Sequence, residues 1–295
     1  MNFLVSGIKV YAIGLRSLAN YRTKALNHIL PEFGHIPASD INSDKMYSFI
    51  EKKLNEGLSN RYIGDIIVLM KSVFKYAVKT YCIYNPLEGV SLPRKKTSDI
   101  RLLDKKEQLC LEEYVSKIHN STTLGITLAM TTGIRIGELC ALQWKDIDLE
   151  KRILTVSKTV QRIQLHEADR KTKLIITEPK RESKRIIPIP EAVVAFLKEM
   201  RENDEDFVVS GTSRVIEPRT MQYRFAKILK NVNLPSVHFH ALRHMFASNC
   251  IRLGFDIKAL SEILGHSSVE ITLNRYVHSS FEQKTEYMNR ITICV

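Results

Sequence analysis

The chain has 295 residues, is 44% hydrophobic, and carries 44 lysines and arginines against 32 acidic residues. That hydrophobic share excludes a chain too polar to fold, and the length suits two domains. The net charge of +12 favours a polyanionic partner such as nucleic acid, or a generically basic surface. Residues 1–100 hold 14 basic and 8 acidic groups, and residues 101–295 hold 30 and 24. A basic tail would concentrate the excess, whereas an even spread suits a protein that lays both halves on one long polyanion.

Residues 1–92 read as helical. The clearest segment is 59–81, where Ile63, Ile66, Ile67, Met70, Phe74, Ala77, Val78 and Tyr81 recur at three- and four-residue steps. Ser59 is placed as its N-cap, and Asn85-Pro86 stops the chain soon after. Lys71, Lys75 and Lys79 line another face, either solvated or set for phosphate contacts. Residues 93–101 read as a linker: Arg94, Lys95 and Lys96 are consecutive cations behind Pro93, able to neutralise phosphates where the chain crosses DNA.

Beyond residue 102 the pattern is mixed. Residues 124–132 form an apolar helical run closed by Gly133, and 136–144 a second short helix. Residues 153–160, 174–177 and 185–189 have the β-branched content of strands, with 180–184 as the turn between the last two. Helices follow at 191–200, 218–230, 240–253, 257–264, 269–276 and 281–290. Cys82, Cys110, Cys140, Cys250 and Cys294 are odd in number and lack CxxC spacing. They point to a reducing cytoplasm rather than to disulfides or a zinc site. No stretch is long and apolar enough to span a bilayer, and the N-terminus is a poor signal peptide, so no membrane role is expected.

Several polar residues stand out. His240 and Arg243 lie three apart on one helix and can share a face. Histidine exchanges protons near neutral pH, and arginine offers a planar fork to phosphate oxygens. Arg135 sits among Ile134, Ile136 and Leu139 and needs a partner, for which Glu138 is in reach. His266 follows Gly265 at the approach to a helix, and Tyr276 comes ten residues later, one of 11 tyrosines. Cations and histidines can stabilise charge on a phosphodiester, and tyrosine can be a covalent nucleophile. No acidic cluster is spaced for a metal.

The motifs TTGIRIGEL, HFHALRH, LGHSSVEITLNRYVH and EPKRESKRIIPIP, in their order and with 23 residues from Arg243 to His266, resemble those of the tyrosine recombinases of the phage integrase family. The chain is most like integrases of conjugative transposons and related mobile elements. The resemblance implies a mainly α fold with a small antiparallel β-sheet, in two domains that form a C-shaped DNA clamp. Residues 1–92 would be the helical core-site binder, 93–101 the basic linker, and 102–295 the catalytic domain with its C-terminal tail.

It also implies the roles. Arg135 and Arg243 would bind the scissile phosphate, and Tyr276 would form a 3′-phosphotyrosyl bond. Lys180 would protonate the leaving 5′-oxygen, His240 would be an acid–base and phosphate-contacting group, His266 a hydrogen-bond donor to the phosphate, and Glu138 a support. Where the family commonly has Lys-Thr, this chain has Lys180-Arg181, with Lys184 nearby. No cofactor is implied, because the phosphotyrosine stores the bond energy. The implied partners are double-stranded core sites, a homo-tetramer on two DNA sites and an excision factor, in a bacterial, nucleoid-associated setting. Residue 1 is expected to lie already inside the core-binding domain, without a separate arm-site domain. A topoisomerase-like enzyme that reseals the original strand, and a DNA-binding regulator with a dead site, are the competing readings.

Overall fold

The computed structural model describes residues 15–81, 84–94, 101–164, 172–178, 184–266, 268–270, 285 and 288–289. It divides into two compact units, Met1–Asp99 with Ile163–Lys173, and Ile100–Arg162 with Leu174–Val295. The first is helical among its described residues up to 81. Helix α1 (Leu15–Lys24) runs through a π turn at Ala25–Ile29 into α2 (Leu30–Phe33), and α3 (Ser43–Asn55) and α4 (Asn60–Tyr81) follow. The Asn42 side chain caps α3 by accepting the Lys45 N–H at 3.0 Å. Ser59 does the same for α4, its hydroxyl accepting the Tyr62 N–H at 3.2 Å.

The expected stripe on α4 forms the core of this unit: Ile63, Ile66, Ile67, Met70, Phe74 and Ala77 are buried, the first five against Ile29, Phe33, Met46 and Phe49. Val78 and Tyr81, expected on the same face, are 36% and 55% exposed, because the last turn of α4 is not covered by this core. Lys75, Lys79 and Arg94 are exposed, whereas Lys71 is half-buried and donates to the Val90 carbonyl at 2.5 Å. Lys95 and Lys96 lie outside the described residues.

The second unit surrounds α6 (Ser121–Thr132), on which α5 (Lys105–Lys117), α8 (Glu191–Met200), α9 (Pro218–Asn231) and α10 (His240–Arg252) pack. Leu124, Ile126, Leu128, Ala129 and Thr132 are all buried, so α6 is a core helix rather than an amphipathic one. It starts at Asn120, whose side chain accepts the N–H groups of Thr122 and Thr123, and stops at Gly133 in the left-handed region, φ 63°. Helix α7 (Ile136–Ala141) ends earlier than expected, and a separate 3-10 turn at Trp144–Asp146 follows.

Strands β1 (Ile147–Asp148), β2 (Ile153–Val156) and β5 (Arg185–Pro188) form an antiparallel sheet in the order β1-β2-β5, with Leu154 opposite Ile187 and Val156 opposite Arg185. Strands β3 (Thr159–Gln164) and β4 (Thr172–Thr177) form a second sheet. This corrects one expectation. The strand expected at 153–160 breaks between β2 and β3 at Ser157-Lys158. Most of the turn expected at 180–184 lies outside the described residues, and the strands on either side of it, β4 and β5, pair with β3 and β2 respectively. Lys184 pairs with Glu178 at 3.1 Å, across the segment between β4 and β5.

Helix α11 (Ile257–Leu264) follows α10, starts at Asp256, which accepts the Ala259 N–H at 2.9 Å, and packs on β5. Of the helices expected at 269–276 and 281–290, most positions lie outside the described residues. Among the described residues, no helix is long and apolar enough to cross a membrane.

Candidate active site

The site is built where α11 ends. Gly265 closes that helix at φ 63°, a conformation that costs L-residues with a Cβ about 1–2 kcal/mol. Helix ends leave carbonyls without intrahelical partners, and these oxygens carry partial negative charge that attracts cations. Here three successive carbonyls accept from arginines. Arg185 Nε donates to Ile263 at 2.6 Å, Arg243 Nη2 to Leu264 at 2.6 Å, and Arg135 Nη2 to Gly265 at 2.7 Å.

Each arginine arrives from a different element. Arg243 is on the first turn of α10 and is 2% exposed. Its other amino group donates to the Gly133 carbonyl at 2.7 Å, so it ties the end of α6 to the end of α11. Arg135 is the N-cap of α7 and is half-buried. Arg185 opens β5, with a side chain 7% exposed.

Glu138 joins two of them. Its carboxylate is buried, at 3% exposure. Oxygen Oε1 accepts Arg135 Nη1 at 2.8 Å and Arg185 Nη1 at 3.1 Å. Oxygen Oε2 accepts the Arg135 backbone N–H at 3.0 Å and Arg185 Nη2 at 2.8 Å. Burial by itself pushes this carboxyl up. The hydrogen bonds and charge of Arg185, and then of Arg135, outweigh burial and hold it below the ordinary Glu range. Three guanidiniums against one carboxylate leave the cluster positive, which suits a phosphate diester.

His240 is exposed at the start of α10, its ring edge-on to His244 at 4.8 Å between centroids. His266 is half-buried directly after Gly265, its backbone N–H donating to Ser261 at 3.1 Å. Arg135, Glu138 and Arg243 are thus brought together around the segment that carries His266. Lys180 and Tyr276 lie outside the described residues. Sequence reasoning gave Arg185 no role. The available signal was a cation at the start of a short apolar strand, RIIP, which needs a carboxylate once its own side chain is buried.

A helical domain that gathers guanidiniums at one helix end has the equipment of a DNA strand-transfer enzyme. The model of the phage integrase family matches residues 101–283, and the chain belongs to that family. It is a tyrosine-type site-specific recombinase. A tyrosine recombinase XerC-like protein of Caldanaerobacter subterraneus subsp. tengcongensis is 31% identical over 274 residues, 84% of this chain and 70% of the relative. The transposase of transposon Tn916 from Enterococcus faecalis is 26% identical, over 80% of this chain and 62% of its own length. The integrase of transposon Tn1549, solved in complex with a circular intermediate DNA, has a TM-score of 0.79 at 24% identity, covering 99% of this chain and 98% of that one. A lambda integrase tetramer bound to a Holliday junction has a TM-score of 0.69 at 19% identity, over 95% of this chain and 79% of that one. These two likenesses establish the mainly helical fold with small sheets.

Proposed function

We propose that this recombinase integrates and excises a mobile element by cutting and rejoining double-stranded DNA through a 3′-phosphotyrosyl link at Tyr276. The tyrosine oxygen attacks the scissile phosphorus, and the 5′-oxygen of the next nucleotide leaves with a proton from Lys180. A 5′-hydroxyl from a partner strand then attacks the phosphotyrosine and restores the tyrosine. Arg135 and Arg243 bind the non-bridging oxygens and offset the charge that builds on them. His266 donates to the same phosphate, and His240 takes or gives a proton near neutral pH. No cofactor enters this scheme.

The observation that supports this reading is the fixing of Arg135 and Arg243 on the adjacent carbonyls of Gly265 and Leu264, next to His266. Arginines already oriented need little rearrangement when charge develops. Residues 1–92 act as the core-site binder, 93–101 as a basic linker and 102–295 as the catalytic domain. Lys71, Lys75, Lys79, Arg94, Lys95 and Lys96 contact phosphates, and the working assembly is a homo-tetramer on two sites, with an excision factor for the reverse direction. The test uses nicked duplexes spanning the junctions of the element that carries the gene. A covalent adduct that survives denaturant, and is absent with Tyr276→Phe, supports the reading; an adduct that persists in that variant overturns it.

A further inference from the structure

Arg185 has no part in the scheme above, yet its side chain is more buried than that of Arg135, at 7% against 35% exposure. Its amino groups donate to both oxygens of Glu138, and each of those oxygens also accepts one bond from Arg135. Its Nε holds the Ile263 carbonyl, two residues before the Gly265 carbonyl that Arg135 holds. The bonds therefore close a ring: Arg185 to Glu138, Glu138 to Arg135, Arg135 to Gly265, and back along the chain to Ile263. Gly265 also packs close to Arg185, where an added Cβ would stand 3.0 Å from Cδ and Nη1. Only a planar fork with a third donor spans a carboxylate and a carbonyl at once; an ammonium is a point donor.

We propose that Arg185 is a positioning residue for strand cleavage: it fixes Glu138, and through it the guanidinium of Arg135, against the turn that leads into His266. This inference rests on Arg135 being a group that binds the scissile phosphate. Arg185 itself faces Glu138 and the helix end. Its loss leaves Arg135 with a carboxylate that is free to swing, and a displacement on the order of 1 Å at a reacting group costs about 100-fold in rate.

The test compares two nicked duplexes spanning the element junctions, one with an ordinary scissile phosphate and one with a neutral methylphosphonate there. A neutral centre has no anionic charge for Arg135 to offset, so it reads out placement of that guanidinium. Arg185→Ala is expected to form adduct about 10- to 100-fold more slowly on the phosphodiester, with DNA affinity unchanged, and within about 3-fold of wild type on the methylphosphonate. The double variant with Glu138→Ala is expected to be no slower than the slower single variant. Equal slowing on both duplexes means a purely structural role and overturns the proposal, as does no slowing on either.

If Arg185→Ala does not fold, Arg185→Lys carries the same comparison. It keeps a cation but not the fork, and full speed on the phosphodiester in that variant also overturns the proposal. Arg135→Ala separates the two layers of inference. If it cleaves the phosphodiester at the wild-type rate, the phosphate role of Arg135 fails and the proposal falls with it. If Arg135→Ala is slow and Arg185→Ala is not, only the positioning role fails.

Discussion

Replacing Glu138 by glutamine keeps the shape of the side chain and removes its charge. The amide retains one acceptor oxygen, but its nitrogen faces the Arg135 backbone N–H and Arg185 Nη2, donor against donor. Arg185 is then a buried cation without its carboxylate, and breaking a buried pair by removing one partner costs about 3–5 kcal/mol. The loss should appear in urea unfolding followed by the fluorescence of Trp144. It is the chain's single tryptophan, it is 2% exposed, and it sits in the same core as α6 and α10. The signal therefore reports the unit that holds the site.

The effect has a pH signature. In the folded chain the Glu138 carboxyl titrates below its ordinary value of 4.5. Its stabilisation is thus complete above that ordinary value and is lost as pH falls through the lower folded value. The stability gap between wild type and Glu138→Gln is expected to hold from pH 7 down to about 5 and to narrow at more acid pH. A gap under about 1 kcal/mol at pH 7, within the range of a weak surface pair, refutes the idea that the carboxylate carries the cluster. So does a gap that stays constant through the acid range.

Two further outcomes rest on packing. Gly133→Ala should destabilise the same unit by about 2–4 kcal/mol, from left-handed strain plus overpacking, in the same Trp144 assay. Its Cβ would meet Phe246 Cδ1 at 2.5 Å and Leu264 Cδ2 at 2.8 Å, so a neutral result contradicts the close contact between the ends of α6 and α11. Burial pushes the thiols of Cys140 and Cys250 up to about 12 and about 11, whereas Cys110 is exposed. Iodoacetamide at pH 8, read by peptide mass spectrometry, should label Cys110 in the native protein and spare Cys140 and Cys250 until it is unfolded.

What the sequence made legible was local. Gly133 and Gly265 mark helix ends because few other residues tolerate the left-handed turn. Arg135 and Glu138 could be paired because they lie three apart in an apolar stretch. Helix α5 was not foreseen, since it buries only Leu111 and Val115 and its periodicity is faint. Arg185 escaped notice because its partners lie 47 and 78 positions away, at Glu138 and Ile263. Strand partners were not legible at all, because alternation sets which face is buried, not which neighbour is met. The expectation that residues spread from 135 to 276 belong to one site came from the motifs and their resemblance to a family, not from the chemistry of the residues.

The three carbonyls at the end of α11 also govern when the site can exist. Their donors lie 130, 78 and 21 residues earlier in the chain, at Arg135, Arg185 and Arg243. Contacts of such separation form late, because the loops they close must be ordered first. During synthesis, which runs from the N-terminus, Arg135, Arg185 and Arg243 emerge before the oxygens that orient them. The cluster is therefore assembled only once residue 265 has been made, and a nascent chain that already displays its basic N-terminal helices holds no oriented arginines to turn on the DNA it meets.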